Sequence, residues 1–356
     1  MKFRVSLALV CLFTCLPSPH SQAALTIDLD YSLDSNGFFG AAGSAQRASL
    51  EAARDVYQNL ISQSFNAITP GTVYNAGTVL EFQDSWSANF SHPGTGNSHS
   101  ITDLSLGSDT IRIFVGGRDL GGNTLGQAGR GGFGASGIGT FVQSISRGDS
   151  GASFGLWGGA ATFDTATNWN FDVANGPGAA ESDFFSVAIH EFGHVLGLGA
   201  SSDAWDDHWT PGVDGGADSS PGTEGQFDGA AALAAYNADN GLNAAFVPTV
   251  AAMVDDPGTL GINEEDLTNR HFADGTLSYI YGTTTLQEVA LDPNITVGTR
   301  KLLTNVDVAA LSDLGWTINA TAVPEPSGVL LLAVGALTIG IRRRSRAGSA
   351  AVALVG

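Results

Sequence analysis

Positive charge is scarce in this 356-residue chain: 15 Lys and Arg stand against 35 Asp and Glu, for a net charge of −20. Two of the 15 are Lys2 and Arg4 and four are Arg342, Arg343, Arg344 and Arg346, which leaves nine for the long stretch between. An acidic body of that kind repels phosphate backbones and argues against nucleic acid as a partner. Cysteine is scarcer still. Cys11 and Cys15 are the only two, and both fall in a segment read below as a leader, so the mature chain has neither a disulfide nor a thiol ligand. Methionine is equally rare, with Met1 and Met253 alone. Charged residues make up 14%, while a hydrophobic fraction of 43% permits a sizeable core. The 47 glycines point to many tight turns and loops.

The two ends read as addresses. Lys2 and Arg4 precede an apolar stretch from Val5 to Leu16, and Ser21-Gln22-Ala23 supplies small residues of the kind signal peptidase reads, so residues 1–23 are expected to be a secretory signal peptide. At the other end Val323-Pro324-Glu325-Pro326 leads into an apolar run from Gly328 to Ile341 and then Arg342-Arg343-Arg344. That run is short for a spanning helix, and its basic flank belongs on the cytoplasmic side. The arrangement resembles the PEP-CTERM sorting signal of exported proteins in Gram-negative bacteria. The resemblance implies recognition of Pro324-Glu325-Pro326 by an exosortase, transient membrane anchoring through the tail, and its removal at the cell surface or outside. The division is thus 1–23 leader, 24–318 main domain, and 319–356 linker and sorting segment.

Between the ends the patterning mixes helices and strands. Leu50, Ala53, Val56, Tyr57, Leu60 and Ile61 predict an amphipathic helix over 47–64. Thr78 to Phe82, Ile111 to Val115 and Phe154 to Phe163 read as strands, with Trp157 and Trp169 in the core. The glycine-rich stretch 116–139 reads as mostly loop, and it lacks the lysine of a phosphate-binding loop. Helices are expected at 183–198, 230–238 and 306–314, with Ser182 or Asp183 capping the first, and loop at 201–225. This order implies an α+β fold.

The chemistry centres on Ala188-Ile189-His190-Glu191-Phe192-Gly193-His194-Val195-Leu196-Gly197. Residues four apart on a helix lie on one face, one turn up, so His190 and His194 can present two imidazoles to one ion at about 2.0–2.1 Å. Glu191 points to a neighbouring part of that face, within reach of a water on the ion. Two histidines hold zinc poorly, so a third ligand is needed. Asp203, His208 and His271 are the candidates. His92 and His99 sit in a Ser/Gly/Asn-rich stretch and read as solvent-facing. The acidic loops Asp214 to Glu224 and Asp255 to Asp266 offer oxygen ligands for Ca²⁺ without EF-hand spacing, and read better as solvated loops.

His190-Glu191-x-x-His194-x-x-Gly197 resembles the metzincin zinc-peptidase motif, whose usual third histidine would fall at Ala200 here. Three further landmarks resemble the leishmanolysin type: Phe227-Asp228-Gly229 running on to Ala235-Tyr236, then His271-Phe272, then Val306-Asp307 to Asp313-Leu314-Gly315-Trp316. That likeness favours His271 as the third ligand. It implies a zincin-like domain with a twisted sheet and an active-site helix, followed by the sorting helix. It further implies an exported zinc endopeptidase acting on protein or peptide, with Zn²⁺ held by His190, His194 and His271 and Glu191 as general base. The methionine turn of metzincins is missing, and Ala290 stands in its place. Gly158 to Phe163 is expected to be the sheet edge that pairs with substrate. A zincin-fold surface or matrix protein without activity is the competing expectation, and a zinc hydrolase of non-peptide substrates a third.

Overall fold

The computed structural model describes residues 25–146, 157–200, 202–212, 224–250 and 270–319. The leader, Met253, the acidic loop from Asp255 to Asp266, nearly all of Asp214 to Glu224 and the C-terminal tail lie outside the described residues. The fold is a mixed one, with six helices and several sheets among these residues.

The first half runs β1 (Thr26–Asp30), α1 (Ala45–Leu60), a hairpin of β2 (Val73–Tyr74) and β3 (Phe82–Gln83), β4 (Ser85–Ser91), β5 (Ser98–Thr102), β6 (Thr110–Arg118), β7 (Gly126–Arg130), β8 (Gly132–Ser136) and α2 (Gly139–Ile145). There follow β9 (Gly158–Asp164), β10 (Trp169–Asn170), β11 (Ser182–Asp183), α3 (Phe184–Val195), α4 (Asp203–Asp206), β12 (Trp209–Thr210) and β13 (Gly225–Phe227). The last elements are α5 (Ala230–Asn240), β14 (Val247–Thr249), β15 (Leu277–Tyr279), β16 (Leu286–Glu288) and α6 (Asn305–Asp313).

The main sheet has the order β1-β6-β9-β7, with β1, β6 and β9 parallel and β7 antiparallel to β9. Successive side chains of a strand point to opposite faces, and here each face has its own core. Ile111, Ile113, Val115, Ala161 and Phe163 face the larger core with α1 and α3. Phe114 and Ala160 face a smaller one with Trp86, Ala88 and Trp157, roofed by the sheet β5-β4-β8. Cover on both faces explains why all seven residues of β9 are buried.

Two expectations about this sheet are corrected. Residues 116–139 are not mostly loop, because β7 and β8 lie within them. Their glycines leave no side chains whose alternation could announce a strand. Nor is Gly158–Phe163 an edge, because β9 lies between β6 and β7; the edge on that side is β7. The close approach of β7 to β9 depends on glycine: a Cβ on Gly159 would stand 2.1 Å from the Gly129 carbonyl oxygen.

Smaller corrections follow the same logic. Thr78 to Leu80 form a turn, with Asn75 and Gly77 at positive φ and the Thr78 N–H donating to the Asn75 carbonyl. His99 lies on β5, half-buried, with its ring edge-on to Phe90 and His92. Residues 201–225 include α4 and β12. Trp157 is fully buried, whereas Trp169 is only half-buried, against Phe184.

Helix α1 starts at Ser44, whose side chain accepts from the Arg47 N–H, and buries Leu50, Ala53, Tyr57 and Leu60. The Tyr57 hydroxyl donates to the Ile189 carbonyl at 2.7 Å, tying α1 to α3. Helix α3 is capped by Asp183, and eleven of its twelve residues are buried. After it, Gly197 (φ 103°) and Gly199 (φ 58°) turn the chain through the left-handed region that favours glycine.

The closing Asp313-Leu314-Gly315-Trp316 ties two helices into place. Helix α5 begins at Gly229, which has no side chain to cap it. Its first donors go to Asp313 instead: Ala231 N–H to Oδ1 at 2.9 Å and Ala232 N–H to Oδ2 at 2.8 Å. A Cβ on Gly229 would stand 2.5 Å from Asp313 Oδ2, so the two residues need each other. Trp316 Nε1–H donates to the Leu196 carbonyl at the end of α3, at 2.8 Å. Asp313→Ala is therefore expected to cost about 1–2 kcal/mol of stability, and Gly229→Ala a similar amount. Urea unfolding of the purified protein measures both, and an unchanged midpoint in either variant would contradict this capping.

Candidate metal centre

Helix α3 carries His190 and His194 one turn apart, and the chain returns more than seventy residues later to set His271 beside them. The three Nε2 atoms are mutually 3.0 Å apart. His271 is held from both sides: its carbonyl accepts from the Val250 N–H at 3.0 Å, and the next N–H, of Phe272, donates to the Leu291 carbonyl at 3.1 Å. Phe272 is fully buried against Trp205 and Phe227. The sequence landmarks Phe227 and His271-Phe272 thus meet in one aromatic cluster.

The protonation of two of these rings follows from their partners. His190 Nδ1 lies 2.8 Å from the Ala290 carbonyl oxygen, and His194 Nδ1 lies 2.8 Å from that of Leu198. A carbonyl only accepts, so each Nδ1 carries the proton and each neutral ring leaves Nε2 as a bare lone pair. Burial keeps the rings neutral. It is the largest cause pushing His190 down to about 3, with the neighbouring His194 adding to it. Burial likewise lowers His194, and lowers His271 well below the usual histidine value.

Bare lone pairs converging at 3.0 Å repel one another unless a cation lies between them. Three nitrogens at about 2.0–2.1 Å from a tetrahedral zinc stand about 3.3 Å apart, a few tenths of an ångström wider than here. This donor set suits a transition-metal ion such as zinc, with imidazole ligands oriented by hydrogen bonds on their far nitrogens.

The turn that supplies the Ala290 carbonyl is itself anchored. Asp307, fully buried, accepts from the Ala290 N–H at 2.9 Å and the Leu291 N–H at 3.2 Å, while its capping box with Thr304 starts α6. At the position where the sequence lacks the metzincin methionine, Ala290 therefore contributes its backbone to the site.

Glu191 is 4% exposed, and its Oε2 has no hydrogen-bond partner. Burial pushes its carboxyl up to about 8. Strand β7 passes directly over it: a Cβ on Gly126 would stand 2.4 Å from Glu191 Oε1. The histidines and Glu191 line a cleft of about 1760 Å³ whose wall includes β7 from Gly126 to Arg130 and the segment Ala290 to Ile295.

Of the other candidate ligands, His208 lies beside Asp228 at 3.4 Å and packs on Phe227, and Asp203 is exposed on α4. Neither belongs to the histidine cluster. A second cluster joins Asp274, Glu288 and Asp292. There the chain supplies its own cation, since Lys301 Nζ lies 2.6 Å from Asp292 and 2.9 Å from Glu288. Gly126 and the carbonyls of Leu198 and Ala290 escaped the sequence reading, because each acts through position alone; Asp307 stood inside a sequence landmark, but its hold on the Ala290 turn left no sign there.

Comparison with known proteins finds likeness over short stretches. Residues 150–206 match the family model described as matrixin, and residues 322–344 match the PEP-CTERM protein-sorting motif. Human matrix metalloproteinase-25 is 50% identical over 44 residues, which span 12% of this chain and 7% of that protein. The matrixin match ends at Asp206, before His271. Metal analysis of purified variants tests the third ligand: His271→Ala is expected to lose the bound ion and His208→Ala to keep it, and the opposite pattern would reassign the site.

Proposed function

We propose that this chain, a PEP-CTERM-tagged, metzincin-like metallopeptidase, is an exported zinc-dependent endopeptidase that uses His190, His194 and His271 as ligands and Glu191 as general base. The observation that carries the reading is the convergence of three Nε2 atoms at 3.0 Å beside a buried carboxyl with one unpartnered oxygen. A zinc ion held there supplies Lewis acidity, lowering the pKa of a water and polarising a carbonyl.

The remaining steps belong to the protein. Ala290 and Leu198 keep His190 and His194 in the tautomer that offers Nε2. Glu191 Oε2 takes the proton of the attacking water and passes it to the leaving amine nitrogen. Its raised pKa makes it a stronger acceptor once ionised. An extended substrate chain pairs with the edge strand β7, whose backbone lines the cleft. Position along β7 sets the scissile bond near Gly126, under which Glu191 lies.

His271 also weighs against the inactive matrix-protein reading, whose support was the displaced third ligand and the absent methionine. The sorting motif at 322–344 marks export and surface sorting in Gram-negative bacteria. We extend that to a leader at 1–23, a catalytic domain at 24–318, and a tail at 319–356 that an exosortase recognises and removes after transient anchoring.

Glu191→Gln is expected to retain zinc and lose about 10²- to 10⁴-fold in kcat on casein; undiminished turnover would remove Glu191 from the mechanism. Gly126→Ala is expected to keep zinc as well, because Gly126 touches none of the ligands. It should lower kcat at least about tenfold by displacing the Glu191 carboxyl, a 1 Å misplacement being costly. An unaltered kcat would show that the carboxyl does not act from this position.

A further inference from the structure

A charged amine lies buried in the wall of the cleft. Lys301 is 7% exposed, and it lines the cleft together with Asp292, which is 1% exposed. Taking two charges out of water costs about as much as their attraction returns, so stability alone does not account for the pair. Its place in the fold does.

An ammonium has three donors, and here each has an acceptor. Lys301 Nζ lies 2.6 Å from Asp292 Oδ2, 2.7 Å from the Asn294 carbonyl oxygen and 2.9 Å from Glu288 Oε2. These three residues bracket Ala290, with Glu288 before it and Asp292 and Asn294 after it. The turn that presents the Ala290 carbonyl to His190 is therefore gripped on both sides by one group.

The backbone of Lys301 is fixed to α3. Its N–H donates to Ser186 Oγ at 2.8 Å. The preceding residue, Arg300, reaches Asp183, the N-cap of α3, through Nε and Nη2, each at 2.8 Å. Ser186 lies one helical turn before His190, on the same face of α3. A closed circuit results. It runs from Ser186 to Lys301, from Nζ to the flanks of Ala290, and from the Ala290 carbonyl back to α3 at His190 Nδ1, 2.8 Å away. Asp307 ties the same turn to α6 through the N–H groups of Ala290 and Leu291, and Lys301 ties it to α3.

We infer that Lys301 is a positioning residue for the metal centre, holding the Ala290 turn against α3 so that its carbonyl stays on His190 Nδ1 and His190 Nε2 stays aimed at the other two histidines. This rests on the metal-binding reading above and adds to it a residue that acts only through the backbone of another.

The test measures Zn²⁺ affinity of the full chain, stripped of metal, by competition with a chelator of known affinity, beside urea unfolding of the same samples. Partners that orient a metal-ligating histidine are worth about 10- to 100-fold in metal affinity, so Lys301→Met is expected to weaken zinc binding by that factor. Lys301→Met alone leaves Asp292 buried without its cation and lowers stability. The double variant Lys301→Met, Asp292→Leu removes both charges and should regain the unfolding midpoint, yet keep the weakened zinc binding. Asp313→Ala, which loosens the start of α5 far along the chain from the turn, should lower the midpoint and leave zinc affinity as it was. Zinc binding that recovers with stability in the double variant overturns the inference, as does unchanged affinity in both Lys301 variants or an equal loss in Asp313→Ala. Unaltered protein that takes up no zinc is a different result, because it removes the metal centre itself and this inference with it.

Discussion

Three imidazole nitrogens held 3.0 Å apart are a repulsive arrangement, and much of the molecule serves to maintain it. Helix α3 fixes two of them by its pitch. The aromatic cluster of Trp205, Phe227 and Phe272 places the third. The carbonyls of Ala290 and Leu198 set which nitrogen is bare, and Asp307 holds the turn from which the first of those carbonyls projects. A site assembled in this way could hold an ion only when folded, which would link ion affinity to folding stability.

Backbone donors do much of the work that cations do in other proteins. With few lysines and arginines available, buried carboxylates are satisfied at helix starts. Asp183 caps α3 and is joined by Arg300 through a pair of 2.8 Å hydrogen bonds. Asp307 completes the Thr304 capping box of α6 and anchors the Ala290 turn, and Asp313 caps α5 from a distance. The first N–H groups of a helix have no partner within it, so an acidic chain finds there a supply of donors.

Glycine serves this fold through closeness. Gly126 lets β7 lie on the Glu191 carboxyl, Gly159 lets β9 and β7 approach, and Gly229 admits the Asp313 carboxylate. Each is a place where a single methyl group would meet an atom under 3 Å away. Edge strand, buried carboxyl and helix cap are therefore fitted together by what the side chains lack.

Local order in the chain was enough to read α3 and the nearness of its two histidines, because helical pitch turns the spacing of His190, Glu191 and His194 into a shared face. It was enough as well for α1, α5, α6 and the buried strand β6, whose apolar residues keep a period. His271 was favoured through the likeness of its flanking landmarks to a known family, and no spacing rule pointed to it. Strand β7 was missed, since glycine-rich residues show no alternation, and β9 was taken for an edge because strand order in a sheet leaves no trace in one strand's own pattern. The Ala290 carbonyl and the cap supplied by Asp313 were decided by tertiary structure alone. Periodicity and capping are local and act over a turn or two of chain. Contacts between residues a hundred positions apart depend on how the elements pack, which no local pattern encodes.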